Sequence, residues 1–274
     1  MTSQPDDMSP EAILARAVSA RGDIYPEWRF VAEAQPELFE RLQHTGGYFH
    51  KYAGGEPTSD ELSGPMRELI ATPALCAKPD VRYAPNHVRK MYRMGLTNRV
   101  IFEAAAAYST VTGFSTLANV AQAVMTALSP DYPFGTLPEG GAPRELTPFP
   151  ELEMGRVRRE AGSESLLDER EWQYALGLDE EFARRAAGWV DYCLLADGEG
   201  GAGPLLGPGP RELVAIAALA ARGEVELAAD HMARAYAYGM GRGHVLDAIM
   251  SVLPMTGIVT AHLGLKAMRL VESR

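Results

Sequence analysis

Acidic side chains and a histidine recur in segments otherwise rich in alanine and leucine. The stretch PNHVRKMYRMGLT (85–97) returns as ADHMARAYAYGMG (229–241), so His231 stands 144 residues after His87. At the same offset Glu212 follows Glu68, and Glu224 follows Asp80. An acid or a histidine buried without a partner costs free energy, so these groups either face solvent or meet one another. A carboxylate beside an imidazole favours the charged ring, while burial favours the neutral carboxyl. Acid and base forms then coexist near neutral pH, as general acid–base catalysis requires. The alternative is a Glu–His pair that stitches two helices together. Tyr83, four residues before His87, shares its helical face and could donate a hydrogen bond to a substrate carbonyl; Leu227 replaces it in the later stretch. Arg89 and Lys90 either attract a carboxylate or are solvated helix charges.

Helices must position these groups, because helical periodicity dominates and β-branched alternation is scarce. Opening helices are expected at 10–20 and 25–44. Pro65 suits a first helical turn of a helix running to about Ala77, where Pro79 stops it. A second helix spans about Val81 to Met94, with Gly95 as its left-handed cap. Thr97 can N-cap the long apolar helix that follows, and Gly113 can break it in two. Glu68 thus lies in one helix, and Asp80 and His87 flank the next. Antiparallel packing across the Pro79 turn would let Glu68 face His87.

Residues 67–125 fall on 211–269 without a gap. Arg67-Glu68-Leu69 meets Arg211-Glu212-Leu213; Val81, Ala84, His87, Tyr92, Gly95, Ala104, Thr112 and Gly113 meet identical residues, and Glu103 meets Asp247. So long a period is not that of a solenoid. It predicts two copies of a compact helical unit packed about a pseudo-twofold axis. Copy one covers 1–128, a Pro/Gly-rich linker or strap covers 129–165, and a more divergent copy covers 166–274.

The formal charge of −10 argues against nucleic acid and anionic membrane surfaces as partners, though a local pocket can still oppose the global sign. No signal-peptide pattern and no apolar run of spanning length is present. Cys76 and Cys193 form neither a CxxC nor a zinc-ligand spacing and read as small buried hydrophobes. A reduced, cytoplasmic protein acting on a small molecule is expected. His44, His50, His87, His231, His244 and His262 make no HxH, HxxxH or HExxH signature, so no metal and no cofactor is assigned. A non-haem metal site assembled from distant histidines, as in an oxygenase, is an alternative. A non-catalytic scaffold is another.

Arg67-Glu68-Leu69, His87-Val88-Arg89, Gly95-Leu96-Thr97 and Gly113 with Asn119 resemble the carboxymuconolactone decarboxylase family, within the alkylhydroperoxidase D-like superfamily. The resemblance covers about 60 residues in each half and is stronger in the first. It implies an all-α fold, here two tandem copies of an alkylhydroperoxidase D-like helical bundle, and homo-oligomers. The peroxidase branch uses a CxxC whose positions fall here on Asp80 and Tyr83, then on Glu224 and Leu227, so thiol chemistry is absent there. The decarboxylase branch relies on acids and histidine. By that resemblance Glu68 and His87 are acid–base residues, with Asp80, Tyr83, Glu212, Glu224 and His231 as further candidates. Arg67, Arg89 and Asn119 are candidate substrate-binding residues. The implied activity is that of a lyase or isomerase acting on an oxidised ring or lactone, and a doubled chain with a divergent second half also fits a tailoring enzyme of specialised metabolism. The doubled chain, and Leu263 where Asn119 stands in copy one, depart from the family pattern and suggest that the second copy completes the first copy's pocket.

Overall fold

The computed structural model describes residues 9–21, 24–50, 61–79, 81–156, 169–195 and 204–274. Within them every regular element is helical. The helices are α1 (Pro10–Arg21), α2 (Pro26–Ala34), α3 (Pro36–His50), α4 (Gly64–Cys76), α5 (Ala84–Arg93), α6 (Asn98–Thr112) and α7 (Phe114–Leu128). After an irregular segment come α8 (Arg170–Leu178), α9 (Glu180–Leu194), α10 (Pro208–Arg222), α11 (Val225–Ala237), α12 (Arg242–Thr256) and α13 (Ile258–Glu272). None is long and apolar enough to cross a membrane.

Local signals set several boundaries. Ser63 caps α4, its side chain accepting from the Met66 amide. Thr97 caps α6 in the same way, through the Val100 amide. Gly95 sits at φ +80°, and a Cβ there would lie 1.9 Å from Thr147 Oγ1. Gly113 at φ +90° separates α6 from α7, and Gly257 at +87° separates α12 from α13. The expected 25–44 helix is two helices, because Gln35 adopts φ −145° ahead of Pro36.

The bounds of α2, α3, α6 and α7 recur in α8, α9, α12 and α13 at an offset of 144 residues. The packing recurs with them. In the first set α4 packs on α5, α6 and α7; in the second α10 packs on α11, α12 and α13. The sets also interlock. α4 packs on α12 as α6 packs on α10, and α3 packs on α12 as α9 packs on α6. α4 is buried from Met66 to Cys76, and α10 from Pro208 to Ala220. A helix without a solvated face belongs at the centre of a bundle.

Two buried ion pairs cross this joint. Arg67 bonds Asp247, their side chains 1% and 5% exposed. Arg211 bonds Glu103 at 2.7 Å, at 3% and 13%. The surroundings match as well. Asp247 accepts the Leu62 amide and Glu103 the Leu206 amide, while Arg67 Nε donates to the Leu62 carbonyl and Arg211 Nε to that of Leu206. Each guanidinium is therefore neutralised by the opposite set.

Residues 129–156 form an irregular strap that touches both sets. Thr147 N–H donates to the Gly95 carbonyl, and Gly207 and Gly209 N–H donate to the Leu152 and Met154 carbonyls. Buried Glu151 accepts from the Ser63 amide and hydroxyl. The remainder of the expected linker, 157–165, lies outside the described residues.

Candidate acid–base site

Glu68 lies one turn into α4, and its carboxylate is 1% exposed. It faces α5, where His87 and Lys90 stand one turn apart. His87 Nδ1 is 2.7 Å from Glu68 Oε2, and Lys90 Nζ donates to Oε1 at 2.6 Å. Both carboxylate oxygens are thus engaged by groups that remain partly exposed, 20% for His87 and 24% for Lys90. A buried carboxylate against one ring nitrogen fixes the imidazole's orientation.

The second set repeats the contact. His231 Nδ1 is 2.6 Å from Glu212 Oε2, and Arg234 Nε donates to Oε1 at 3.3 Å. Arg234 also reaches Glu169 at the start of α8, at 3.1 Å. The structure therefore brings together Glu68 with His87 and Glu212 with His231.

The remaining candidates lie elsewhere. Asp80 falls outside the described residues. Glu224 is exposed at the N-cap of α11, where a carboxylate keeps its hydration, rather than buried with His231. Tyr83 does not hold its hydroxyl out for a carbonyl: it donates to Glu27 Oε1 at 2.6 Å and packs edge-on against Tyr25. That hydrogen bond, with help from Arg82, holds the Glu27 carboxyl below its ordinary range.

The three substrate-binding candidates all bond within the protein. Arg67 is buried in the joint between the sets. Arg89 is buried, and its guanidinium donates to the carbonyls of Ala127, Ser129, Tyr132, Phe134 and Gly135. Its bonds therefore run to the C-terminal end of α7 and to the strap. Asn119 Nδ2 donates to the Cys76 carbonyl at the end of α4, at 2.8 Å. Lys90, by contrast, carries a contact that the motif gives no hint of.

Both cysteines are buried, and burial pushes each thiol up to about 12, so neither is a nucleophile near neutral pH. Among the described residues no three or more His, Cys, Asp or Glu side chains cluster as metal ligands would. His244 is buried and its Nδ1 accepts the Gly241 amide, whereas His44 and His262 are exposed. The recess bounded by Pro36, Glu37, Glu40 and Arg41 on α3 includes none of the acid–base residues.

No protein-family model matches the chain, and no curated protein matches it in sequence. Its fold is similar to that of a crystal structure from Burkholderia xenovorans LB400, a protein provisionally named a gamma-carboxymuconolactone decarboxylase subunit. The two share 18% sequence identity with a TM-score of 0.52, over 98% of each chain. The likeness extends through both helical sets and establishes the all-helical fold of that protein as the fold of this one.

Proposed function

We propose that the chain is a carboxymuconolactone decarboxylase-like lyase or isomerase, built from two tandem copies of an alkylhydroperoxidase D-like bundle and acting on an oxidised cyclic or lactone substrate. One observation carries this: a nearly inaccessible Glu68 carboxylate holds the Nδ1 edge of a partly exposed His87. The fold likeness supports the same reading.

In this scheme His87 moves the proton through Nε2, across the ring from Glu68. During decarboxylation the bond to the departing carboxylate breaks and carbon dioxide leaves. The electron pair stays on carbon, delocalised into the neighbouring carbonyl. The imidazolium then delivers its Nε2 proton to that carbon and becomes neutral. Isomerisation runs through the same enolate, with His87 first removing the proton and then returning it at another carbon. Glu68 stabilises the imidazolium in both cases, and Lys90 offsets the carboxylate charge. A homo-oligomeric state and a cytoplasmic location belong to the same proposal.

The test is purified protein with gamma-carboxymuconolactone and related carboxylated lactones, followed by loss of ultraviolet absorbance and release of carbon dioxide. His87→Gln and Glu68→Gln should each lower turnover by about 10²–10⁴-fold, the usual contribution of a positioned acid–base group. Unchanged turnover in folded variants, or no turnover of any lactone by the parent protein, would refute the proposal. In the second case, lost stability in both variants would favour a helix-stitching role. Turnover that tracks bound metal would favour the oxygenase alternative.

A further inference from the structure

The matched helices α3 and α9 agree on their outer faces and differ on their inner ones. At the 144-residue offset they carry the same residue at Glu37 and Glu181, Arg41 and Arg185, and Tyr48 and Tyr192. All six are exposed. The less exposed positions differ: Phe39, Gln43 and Gly46 stand against Ala183, Ala187 and Val190. Packing constrains a buried side chain far more than an exposed one, and exposed substitutions cost little stability. A duplicated helix should therefore hold its core face and let its surface drift. The reverse pattern asks for a use of the surface.

The shared residues belong to a seam. On α9, Phe182, Arg185, Trp189 and Tyr192 recur at the spacing of one helical face, and on α3 the same face carries Leu38, Arg41, Thr45 and Tyr48. Ala183, Ala187 and Leu194 lie on the face toward the bundle and are buried. The α9 seam is aromatic. Trp189 stacks on Tyr192 at 6.2 Å between ring centroids and meets Phe114, at the start of α7, edge-on at 5.2 Å. Phe182 stacks on Trp172 of α8 at 6.2 Å. Phe114, Phe182 and Tyr192 are each more than half exposed. Rings of this kind leave roughly 100–150 Å² each in water, so the three present about 300–450 Å². A standard interface takes about 800 Å² from each partner, a little over half of it apolar. The seam thus supplies most of the apolar area that such a contact needs, and Tyr, Trp and Arg are the residues that most often carry interface binding energy.

The α3 seam carries a recess instead of rings. Glu37 and Arg41, with Pro36 and Glu40, bound it. Glu37 pairs with Arg41 at 2.8 Å, and Glu181 pairs with Arg185. Each seam therefore presents both signs. Two chains of formal charge −10 can meet here with opposite charges facing, and the pairs can exchange partners across the contact. We infer that the α9 seam of one copy of this chain docks on the α3 seam of another, its rings over the recess at Pro36. A head-to-tail contact of this kind is heterologous and closes into a ring when the rotation allows. The inference rests on the homo-oligomeric part of the proposed function alone and gives it a surface. It is independent of the chemistry at His87.

The experiment is sedimentation velocity of the full chain across a concentration series, and the parent should form an assembly of two or more copies. Phe182→Asp, in the α9 seam, and Leu38→Asp, in the α3 seam, should each weaken self-association about 30-fold or more, the effect of losing one central interface residue. Mixed together, the two variants still hold one intact seam of each kind, so mixing should restore association as far as a pair, a gain that no folding defect can mimic. Benzoylphenylalanine in place of Phe182 should, under ultraviolet light, join two copies through a peptide of α3. An assembly that persists in both Asp variants, no recovery on mixing, or cross-links that avoid α3 would overturn the inference and leave the homo-oligomeric reading standing. A parent that stays monomeric, whatever else its seam binds, would overturn both. Turnover of a lactone by that monomer would leave only the acid–base reading in place.

Discussion

The joint between the helical sets and the two Glu–His sites handle charge in opposite ways. At the joint the sets behave alike: Arg67 and Arg211 each bond a carboxylate of the opposite set and a carbonyl five residues earlier in their own. At the sites they differ: a lysine, Lys90, bonds Glu68, whereas an arginine, Arg234, bonds both Glu212 and Glu169. The contrast follows from burial. In the joint, water is excluded and any unpaired charge is costly, so one arrangement satisfies both sides. At the partly exposed rim of α5 and α11, solvent can cover a mismatch, and the charge pattern is open to variation.

The most disruptive way to probe this is to break the joint. Asp247→Ala leaves Arg67 buried and uncompensated and should cost about 3–5 kcal/mol. Glu103→Ala, at the more exposed of the two pairs, should cost less, about 1–3 kcal/mol. Urea denaturation of both variants measures the difference, and a larger loss at Glu103 would contradict the burial account. The second comparison is between matched glycines. Gly95→Ala and Gly239→Ala both place a side chain at positive φ, +80° and +93°, at about 1–2 kcal/mol each. Only Gly95 also meets Thr147 of the strap, whereas Gly239 meets nothing closer than Met154 at 3.8 Å. Gly95→Ala should therefore lower the melting temperature further, and equal losses would show the strap yielding at Thr147.

The smallest effect near neutral pH concerns Cys76 and Cys193. Their folded values lie near 12 and their ordinary value is 9.0. The unfolded chain releases these protons first, so the thiols' contribution to stability is complete below pH 9.0 and lost as pH rises toward 12. At pH 8, iodoacetamide should label neither thiol until denaturant is added. Labelling of one in the folded protein would mark its helical set as the looser.

Much of this architecture was legible in residue order. Caps and breaks are local, so Pro65, Gly95, Thr97 and Gly113 act within a few residues of where they stand, and the divisions between α4, α5, α6 and α7 follow. The Glu68–His87 contact was legible too, since a group repeated at fixed spacing on neighbouring helices has few neighbours to meet. Asp247 as the partner of Arg67 was not, because 180 residues separate them. A signal did exist: an Arg and an acid each recurring at the same offset is the pattern that crossed pairing produces. The bonds of Arg89 were not legible, because they run to carbonyls at the end of α7 and in an irregular segment with no periodicity to read. Arg234 gains a second carboxylate partner in Glu169, which caps a helix ahead of the aligned stretch.

The crossed Arg–acid pairs carry one more consequence. Severed within the irregular segment, each portion would retain a buried guanidinium parted from the carboxylate it bonds in the whole chain. The carboxylate bonded to each lies in the other fragment, so the matched sets are expected to fold as one unit.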